Sequence, residues 1–335
     1  MGNTMLDSKK RKQLPLIVIV VSSATAARSV VVTNEEGRVR GTVQDVLGKH
    51  IEIFLGIPYA SPSVGHLRFL RPQPPPAWDD VYDATSIKDS FMQPRVSWVF
   101  HIPTPLSEDC LYVNVWTPNA SLQLGLAVCI WFHGGIFKLG SAYEIRYDGA
   151  ALAALNNVVV VSGNFRLGMF GFLDVDDESA PGNFGLWISC SLGEGCRRTE
   201  RILVGTRNWS LCLARATVLW ISIFISRFRL SSGFSIVCSI MSGTESIQGS
   251  MNSVYESTGI GNKVSAVLGC ADVFQDLTTQ TEIVVECLRS SPPDDIVNTT
   301  DEATAPKLLA FLPTFKTEFV PYLHPTARKR GYFGQ

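Results

Sequence analysis

The sequence predicts an α/β domain with a central mixed β-sheet. Residues 29–187 alternate short apolar runs with turn signals, which is typical of buried strands joined by short connections. A helical segment from Ala150 to Leu155 leads into the apolar run Val158 to Val161, and two apolar strands joined through a helix favour a mixed sheet. The composition, 46% apolar and 18% charged over 335 residues, is that of a globular protein with a large core.

The predicted strands are short apolar runs bounded by turn residues. They are Val30–Val32, Ile51–Phe54, Leu111–Val115, Leu126–Phe132 and Val158–Val161. Asp148 precedes the helical segment at Ala150 and is placed to cap its first turn. After residue 240 we expect Asp272 to Leu288 to be largely helical, and Phe311 to Pro321 to form a loop and a short strand.

The N-terminus has the three parts of a secretory signal peptide. A basic cluster at 9–12 precedes the mainly apolar run Leu14 to Val21, and the small residues Ala24 and Ala26 follow. The basic cluster alone would also suit a nuclear or membrane-surface patch, and the apolar run is too short for a membrane anchor. Residues 1–26 are therefore predicted to be a signal peptide and the protein to be secreted.

Composition restricts the partners. The net charge of −1 gives no indication of nucleic acid or of an acidic surface as a partner. Export would permit disulfides among the eight cysteines, and the sequons at Asn119 and Asn298 fit a secreted glycoprotein. No cofactor, metal or transmembrane segment is expected, and the oligomeric state is not indicated.

The segment W-F-H-G-G-I-F-K-L-G-S-A, from Trp131 to Ala142, indicates a binding turn. An apolar strand ends there at a histidine and two glycines, so that backbone N–H groups would point outward. Such groups stabilise the oxyanion that develops in acyl transfer. Taken alone, H-G-G would also fit an ordinary turn at the end of a strand.

Several motifs together resemble the type-B carboxylesterase and cholinesterase family, which has the α/β-hydrolase fold. They are G-I-P-Y-A-S-P (56–62), S-E-D-C-L-Y-V-N-V-W-T-P (107–118), H-G-G-I-F (133–137), N-F-R-L-G-M-F-G-F-L (164–173) and P-G-N-F-G-L (181–186). The likeness covers residues 36–187 and 240–335. It implies a partial carboxylesterase domain over residues 27–335, whose C-terminal part is missing and which hydrolyses small carboxylic esters if it is active.

The resemblance also implies roles for particular residues. Gly134, Gly135 and Ile136 correspond to the oxyanion hole, although the family usually has a third small residue where Ile136 stands. Arg68 and Glu108 correspond to a buried structural ion pair, and two solvated charges are the alternative. Cys270 and Cys287 resemble a family disulfide, while Cys110 lacks its usual partner and is expected to be a free thiol.

The nucleophile of the family is missing from the chain. A Gly-x-Ser-x-Gly elbow is expected at 213–217, where the sequence is L-A-R-A-T. If the codons for Val204 to Val218 are read from two bases later, the residues that they permit include G-N-P-E-L-V-T-V-F-G-E-S-x-G. The serine codon would straddle the codons of Arg215 and Ala216. The same shift gives Asp-Gln after Trp187. Residues 188–239 are therefore predicted to be translated out of frame.

The other two members of a Ser–acid–His triad are not identified. In this fold the acid and the histidine follow the serine, and both are expected beyond residue 335. None of the five histidines lies in a matching position; they are His50, His66, His101, His133 and His324. We expect a serine esterase by descent that is inactive as it stands. The alternative is a non-catalytic cholinesterase-like adhesion protein.

Overall fold

The computed structural model of the chain describes residues 28–95, 102–120, 126–187, 205–215, 235–241, 251–305 and 309–315, the backbone alone in 205–215 and 235–241. A mixed sheet with helices is observed, as in the predicted α/β-hydrolase fold. The predicted signal peptide at 1–26 lies outside the described residues, as do much of the segment predicted to be out of frame and the chain from 316 onward.

Eleven strands are described, nine of them in the main sheet. In chain order they are β1 (Arg28–Thr33), β2 (Arg38–Val46), β3 (Lys49–Pro58), β4 (Val81–Asp83), β5 (Ser90–Phe91), β6 (Leu106–Ser107), β7 (Tyr112–Thr117), β8 (Leu126–Phe132), β9 (Val159–Gly163), β10 (Gly205–Arg215) and β11 (Ser235–Met241). The main sheet runs β1-β2-β3-β7-β9-β8-β10-β11, with β4 beside β2, while β5 and β6 pair separately. The pairs from β1 to β9 along this order are antiparallel, and those joining β9, β8, β10 and β11 are parallel.

Five α-helices lie entirely within the described residues. They are α1 (Ala150–Asn156), α2 (Gly168–Phe172), α3 (Val254–Val267), α4 (Thr281–Ser290) and α5 (Pro293–Thr304). The predicted strands and α1 are confirmed within one or two residues, except that β3 continues four residues past the predicted end at Phe54. Asp148 accepts a 2.8 Å hydrogen bond from the N–H of Ala150, so it satisfies a donor at the start of α1 as expected.

The prediction of a helix from Asp272 is wrong for its first half, because α4 begins only at Thr281. The Asp272 carboxylate accepts the N–H groups of Phe274 and Gln275 at 2.7 and 2.8 Å. Asp276 likewise accepts the N–H groups two and three residues further on, at 2.8 and 2.9 Å. These side chains offer the backbone an alternative to helical hydrogen bonds, so the segment forms turns instead.

The central strands divide the core between the two faces of the sheet. Val159 and Val161 of β9 belong to the larger hydrophobic cluster, and Val160 between them belongs to the smaller one. This alternation follows from the two-residue period of a strand. Helix α1 covers the smaller face, whereas α3, α4 and α5 contribute to the larger cluster. The five residues of β9 are all buried, as expected for a strand covered on both faces.

A buried ion pair connects the N-terminal part of the fold to α4. The Arg68 guanidinium binds both oxygens of Glu108 at 2.8 and 2.6 Å, and the two residues are only 5% and 7% exposed. Its remaining terminal nitrogen donates to the carbonyls of Leu288 and Ser291 at 2.9 and 2.7 Å. The Cys270–Cys287 disulfide joins the loop after α3 to the same helix. Arg68 therefore fixes the C-terminal end of α4 against the loop that follows β3.

We predict that Glu108→Gln destabilises the protein by about 3 kcal/mol or more, because it leaves Arg68 as a buried charge without a counter-ion. The free energy of unfolding can be measured by urea titration with tryptophan fluorescence. Glu286→Gln is the matched control, since Glu286 pairs with Arg289 at 3.2 Å but its side chain is 63% exposed. The control should cost about 1 kcal/mol at most. Equal losses in the two variants would contradict a structural role for the buried pair.

Candidate active site

The turn after β8 has a backbone conformation that only certain residues tolerate. Gly135 has a φ of 130°, and a Cβ on it would lie 1.9 Å from the carbonyl oxygen of Leu139. The carbonyl of Gly135 accepts the N–H groups of Lys138 and Leu139 at 3.0 and 2.9 Å, which closes the turn. Only glycine fits at this position, as the sequence motif indicates.

Three N–H groups at the start of this turn have no acceptor among the described residues. Within the described part of the chain, those of Gly134, Gly135 and Ile136 donate no hydrogen bond, although both glycines are buried. Buried backbone donors are nearly always paired, so an unpaired set at the end of a strand indicates a ligand. Donors held in this way suit a developing oxyanion, because they need no reorganisation when the charge appears.

Ile136 departs from the small residue that the resemblance led us to expect. Its φ is 55°, in the left-handed region that β-branched residues rarely occupy, and its side chain is half-buried. The turn holds its shape despite this residue. The isoleucine side chain also adds bulk where the oxyanion donors lie.

Gln93 holds the far end of the turn through a pair of amide hydrogen bonds. Its Oε1 accepts the N–H of Gly140 at 2.7 Å, and its Nε2 donates to the carbonyl of the same residue at 2.9 Å. The Nε2 group also donates to the carbonyl of Phe91 in β5 at 3.0 Å. Gln93 is only 3% exposed, so these bonds form away from competing water.

A chain of buried hydroxyl groups continues this support. The Ser90 hydroxyl lies 2.6 Å from that of Thr104 and 2.7 Å from that of Ser141. Asn164 follows β9, and its side-chain Oδ1 accepts the N–H of Ala142 at 2.8 Å. The backbone carbonyl of Asn164 accepts the Tyr59 hydroxyl at 2.5 Å. The segment after the turn is therefore fixed from two sides.

His133 lies at the start of the turn and is not placed as a solvent-accessible base. It is 1% exposed and stacks on Phe165 with ring centroids 4.4 Å apart. Its Nδ1 lies 3.0 Å from the carbonyl oxygen of Gly134. Burial lowers the pKa of His133 to about 4, while the contact with the carbonyl opposes that shift. The ring is therefore neutral at pH 7 and serves to pack the turn.

The other described histidines lie away from the turn. His50 is exposed and approaches Asp45 at 2.6 Å, and His66 is exposed in the 3₁₀ turn Gly65–Leu67. His101 and His324 are outside the described residues. The described histidines are therefore not brought together with the oxyanion turn, apart from His133.

The predicted position of the nucleophile lies close to the turn along the sheet. β10 runs parallel to β8, with Leu213 opposite Trp131 and Ala214 opposite Phe132. One residue further, Arg215 ends β10 beside the beginning of the turn at His133. Ala216, over which the predicted serine codon extends, is outside the described residues.

The remaining predicted site residues are separate from the turn. Asn119 is half-buried, and its N–H donates to Thr117 at 3.3 Å, whereas Asn298 is exposed within α5. Glycosylation of either asparagine stays a prediction. Cys110 is buried as a free thiol, and so is Cys129 in β8, which the sequence did not single out.

The described residues contain neither a cluster of metal-ligating side chains nor a membrane-spanning helix. The described ranges contain no group of three or more histidine, cysteine or acidic residues that could hold a metal ion. No helix in the described part of the chain has both the length and the apolar character needed to cross a membrane.

We predict that His133 makes the protein less stable in mild acid. Its pKa is about 4 in the folded state and about 6.5 when unfolded, so the unfolded chain binds the extra proton between these values. Stability should therefore fall as the pH drops from 6.5 toward 4, by up to about 3 kcal/mol. Urea titrations across this range should show the fall, and it should be smaller in His133→Phe. An unchanged pH dependence in that variant would contradict the assignment.

Comparison with known proteins finds a family match over the first part of the chain. Residues 27–187 match the carboxylesterase family. The chain is 39% identical over 181 residues to acetylcholinesterase 4 of Caenorhabditis briggsae, covering 52% of this chain and 30% of the relative. It is 42% identical over 166 residues to a cholinesterase of Mus musculus, covering 47% of this chain and 27% of the relative.

A longer match continues past residue 187. Acetylcholinesterase-1 of Trittame loki is 32% identical over 278 residues, which is 80% of this chain and 49% of the relative. A match of that extent must include residues on both sides of 188–239. The chain spans less than half the length of each of these three relatives. Residues 27–187, which carry most of the mixed sheet and the glycine turn described above, are therefore similar to the carboxylesterase family.

Proposed function

We propose that the protein descends from serine hydrolases of carboxylic esters, and that the present chain binds the ester carbonyl but does not hydrolyse it. The observation that supports this proposal is the set of N–H groups at Gly134, Gly135 and Ile136, which have no acceptor among the described residues and of which the two glycines are buried. An ester carbonyl oxygen placed within hydrogen-bond distance of these groups would gain stabilisation as it becomes anionic. Each such donor contributes about 3 kcal/mol to the transition state in well-studied hydrolases.

Hydrolysis by this route requires a nucleophile that is absent from the expected position. In the family mechanism a serine attacks the carbonyl, a histidine takes its proton, and the resulting acyl-enzyme is hydrolysed by water. The chain has Arg215 and Ala216 where the elbow serine is expected. Without a nucleophile the oxyanion turn cannot promote acyl-enzyme formation, because nothing forms the covalent bond to the carbonyl carbon.

We infer further that residues 188–239 represent a shifted reading frame. The register of β10 supports this inference, since the end of that strand lies beside the oxyanion turn, where the shifted frame would supply the serine. The match that continues on both sides of this segment also supports it. Sequencing of the transcript across codons 180–245 should reveal one frame change near codon 187 and another near codon 240. An unbroken frame would refute the inference.

Export is part of the same proposal. The Cys270–Cys287 disulfide favours an oxidising compartment, which agrees with the predicted signal peptide at 1–26. Asn119 and Asn298 are proposed glycosylation sites in that compartment. Protein collected from the medium of secreting animal cells, with Ala27 at its N-terminus, would support both the export and the cleavage site.

We predict that this secreted protein gives no burst and no turnover with p-nitrophenyl acetate above a heat-treated control. It should also resist labelling by a fluorophosphonate, which reacts only with an activated serine. A full-length cholinesterase treated in parallel serves as the positive control for both assays. A burst, or a fluorophosphonate adduct on any serine of the chain, would contradict the proposed loss of activity.

The competing proposal is a non-catalytic adhesion protein. An evolved binding protein would be expected to lose the serine by substitution and to keep the flanking elbow in frame, whereas here the flanks differ as well. Two results together would favour an adhesion protein over a damaged esterase. They are an unbroken reading frame in the transcript and the capture of one specific cell-surface protein.

A further inference from the structure

The outer edge of β1 has no partner among the described strands. β1 is the first strand in the order of the main sheet, and it pairs with β2 in a register that continues without a break from Arg28 to Thr33. Natural proteins usually block such an edge with a proline, a bulge or a charged side chain. The sequence of β1 is R-S-V-V-V-T, so three valines occupy its middle and none of these devices interrupts it.

The hydrogen bonds around β2 show which backbone groups of β1 point outward. The carbonyl of Arg40, which lies opposite Val31, accepts the N–H of Ala84 on the other side of β2, at 2.9 Å. Val31 and Arg40 therefore do not exchange backbone hydrogen bonds with each other. Bonded and non-bonded pairs alternate along an antiparallel ladder, so the N–H and C=O groups of Ser29, Val31 and Thr33 all point away from β2. All three residues are exposed.

This outward row has a symmetry that suits a second copy of itself. If two copies of β1 pair antiparallel about a twofold axis at Val31, this valine lies opposite its own copy, and Ser29 lies opposite Thr33 at both ends. Every residue in these pairs has outward backbone groups, so two hydrogen bonds can form in each of the three pairs. The side chains then pair valine with valine and serine with threonine, which are favourable combinations across strands.

Exposure and charge agree with this pairing. The Val31 side chain is 49% exposed and lies on the opposite face of the strand from Val32, which is buried in the larger hydrophobic cluster. Pairing would cover this valine with its copy. It would also bring the exposed Arg28 of one strand near the turn that follows the other strand, where the exposed Glu35 lies. Opposite charges would therefore meet at both ends of the paired strands.

We propose that the outer edge of β1 is a dimer interface, in which two copies of the chain pair antiparallel about Val31 and join their main sheets into one. A pairing that is centred on its own twofold axis closes with two copies, so it does not continue into a fibre. Two short strands bury less than the ~1,600 Å² of a standard interface. We therefore expect a reversible dimer that dissociates at micromolar concentrations.

The test places opposite charges at the centre of the interface. Val31→Lys and Val31→Glu each put like charges opposite one another in the dimer, so each variant alone should dimerise about tenfold more weakly than the unchanged chain. An equimolar mixture of the two variants should recover the lost affinity, because lysine then faces glutamate. Sedimentation velocity of the secreted chain from micromolar to millimolar concentrations measures the association, and recovery in the mixture also shows that both variants are folded.

Val64→Lys is the matched control. Val64 is 45% exposed and lies outside the strands, directly before the 3₁₀ turn Gly65–Leu67. This substitution should leave the dimerisation unchanged. Hydrogen exchange gives a second measurement, because the N–H of Val31 should exchange quickly in the monomer and slowly in the dimer.

The proposal is overturned if the unchanged chain stays monomeric at every concentration. A dimer that Val31→Lys does not weaken, or that the mixture of variants does not restore, would overturn it as well. Slow exchange of the Val31 N–H in the monomer would also do so, since the edge would then be covered by another segment of the same chain. These measurements do not require ester hydrolysis, so their result is separate from the test of the proposed function.

Discussion

The requirement that buried polar groups find partners organises this protein around the turn after β8. Gln93, Asn164 and a chain of serine and threonine hydroxyls are all buried, and nearly all of their bonds go to the backbone of that turn or to one another. Among the described residues, the N–H groups of Gly134, Gly135 and Ile136 are an exception, since they have no acceptor there. Several buried side-chain atoms are a second exception, among them Nε and Nη1 of Arg166.

Patterns that are local in sequence predicted the fold well. The apolar runs that become β8 and β9 are largely buried, as expected for central strands that are covered on both faces. Gly135 was predictable for a similar reason, since its motif requires a conformation that other residues cannot adopt. The helix expected from Asp272 was predictable only in part, because competition between side-chain and backbone acceptors decides where a helix starts.

The supporting residues of the candidate site could not be predicted in the same way. Gln93 and Gly140 are 47 residues apart, and their contact depends on how two segments meet in the fold. Arg166 was visible in the N-F-R-L-G motif, but its burial becomes known only from the structure, as do its two donor nitrogens without an acceptor among the described residues. The sequence signal that would have revealed Gln93 is weak, because a single buried glutamine has no characteristic spacing.

The bonds from Arg68 to Leu288 and Ser291 have a consequence for synthesis of the protein. They join positions separated by 220 and 223 residues, so they can form only after the ribosome has released residue 291. Until then the Arg68–Glu108 pair lacks its contacts with the end of α4, and the long loop between residues 68 and 288 is not yet closed. The domain therefore faces its greatest risk of aggregation during translation, before its first and last parts have met.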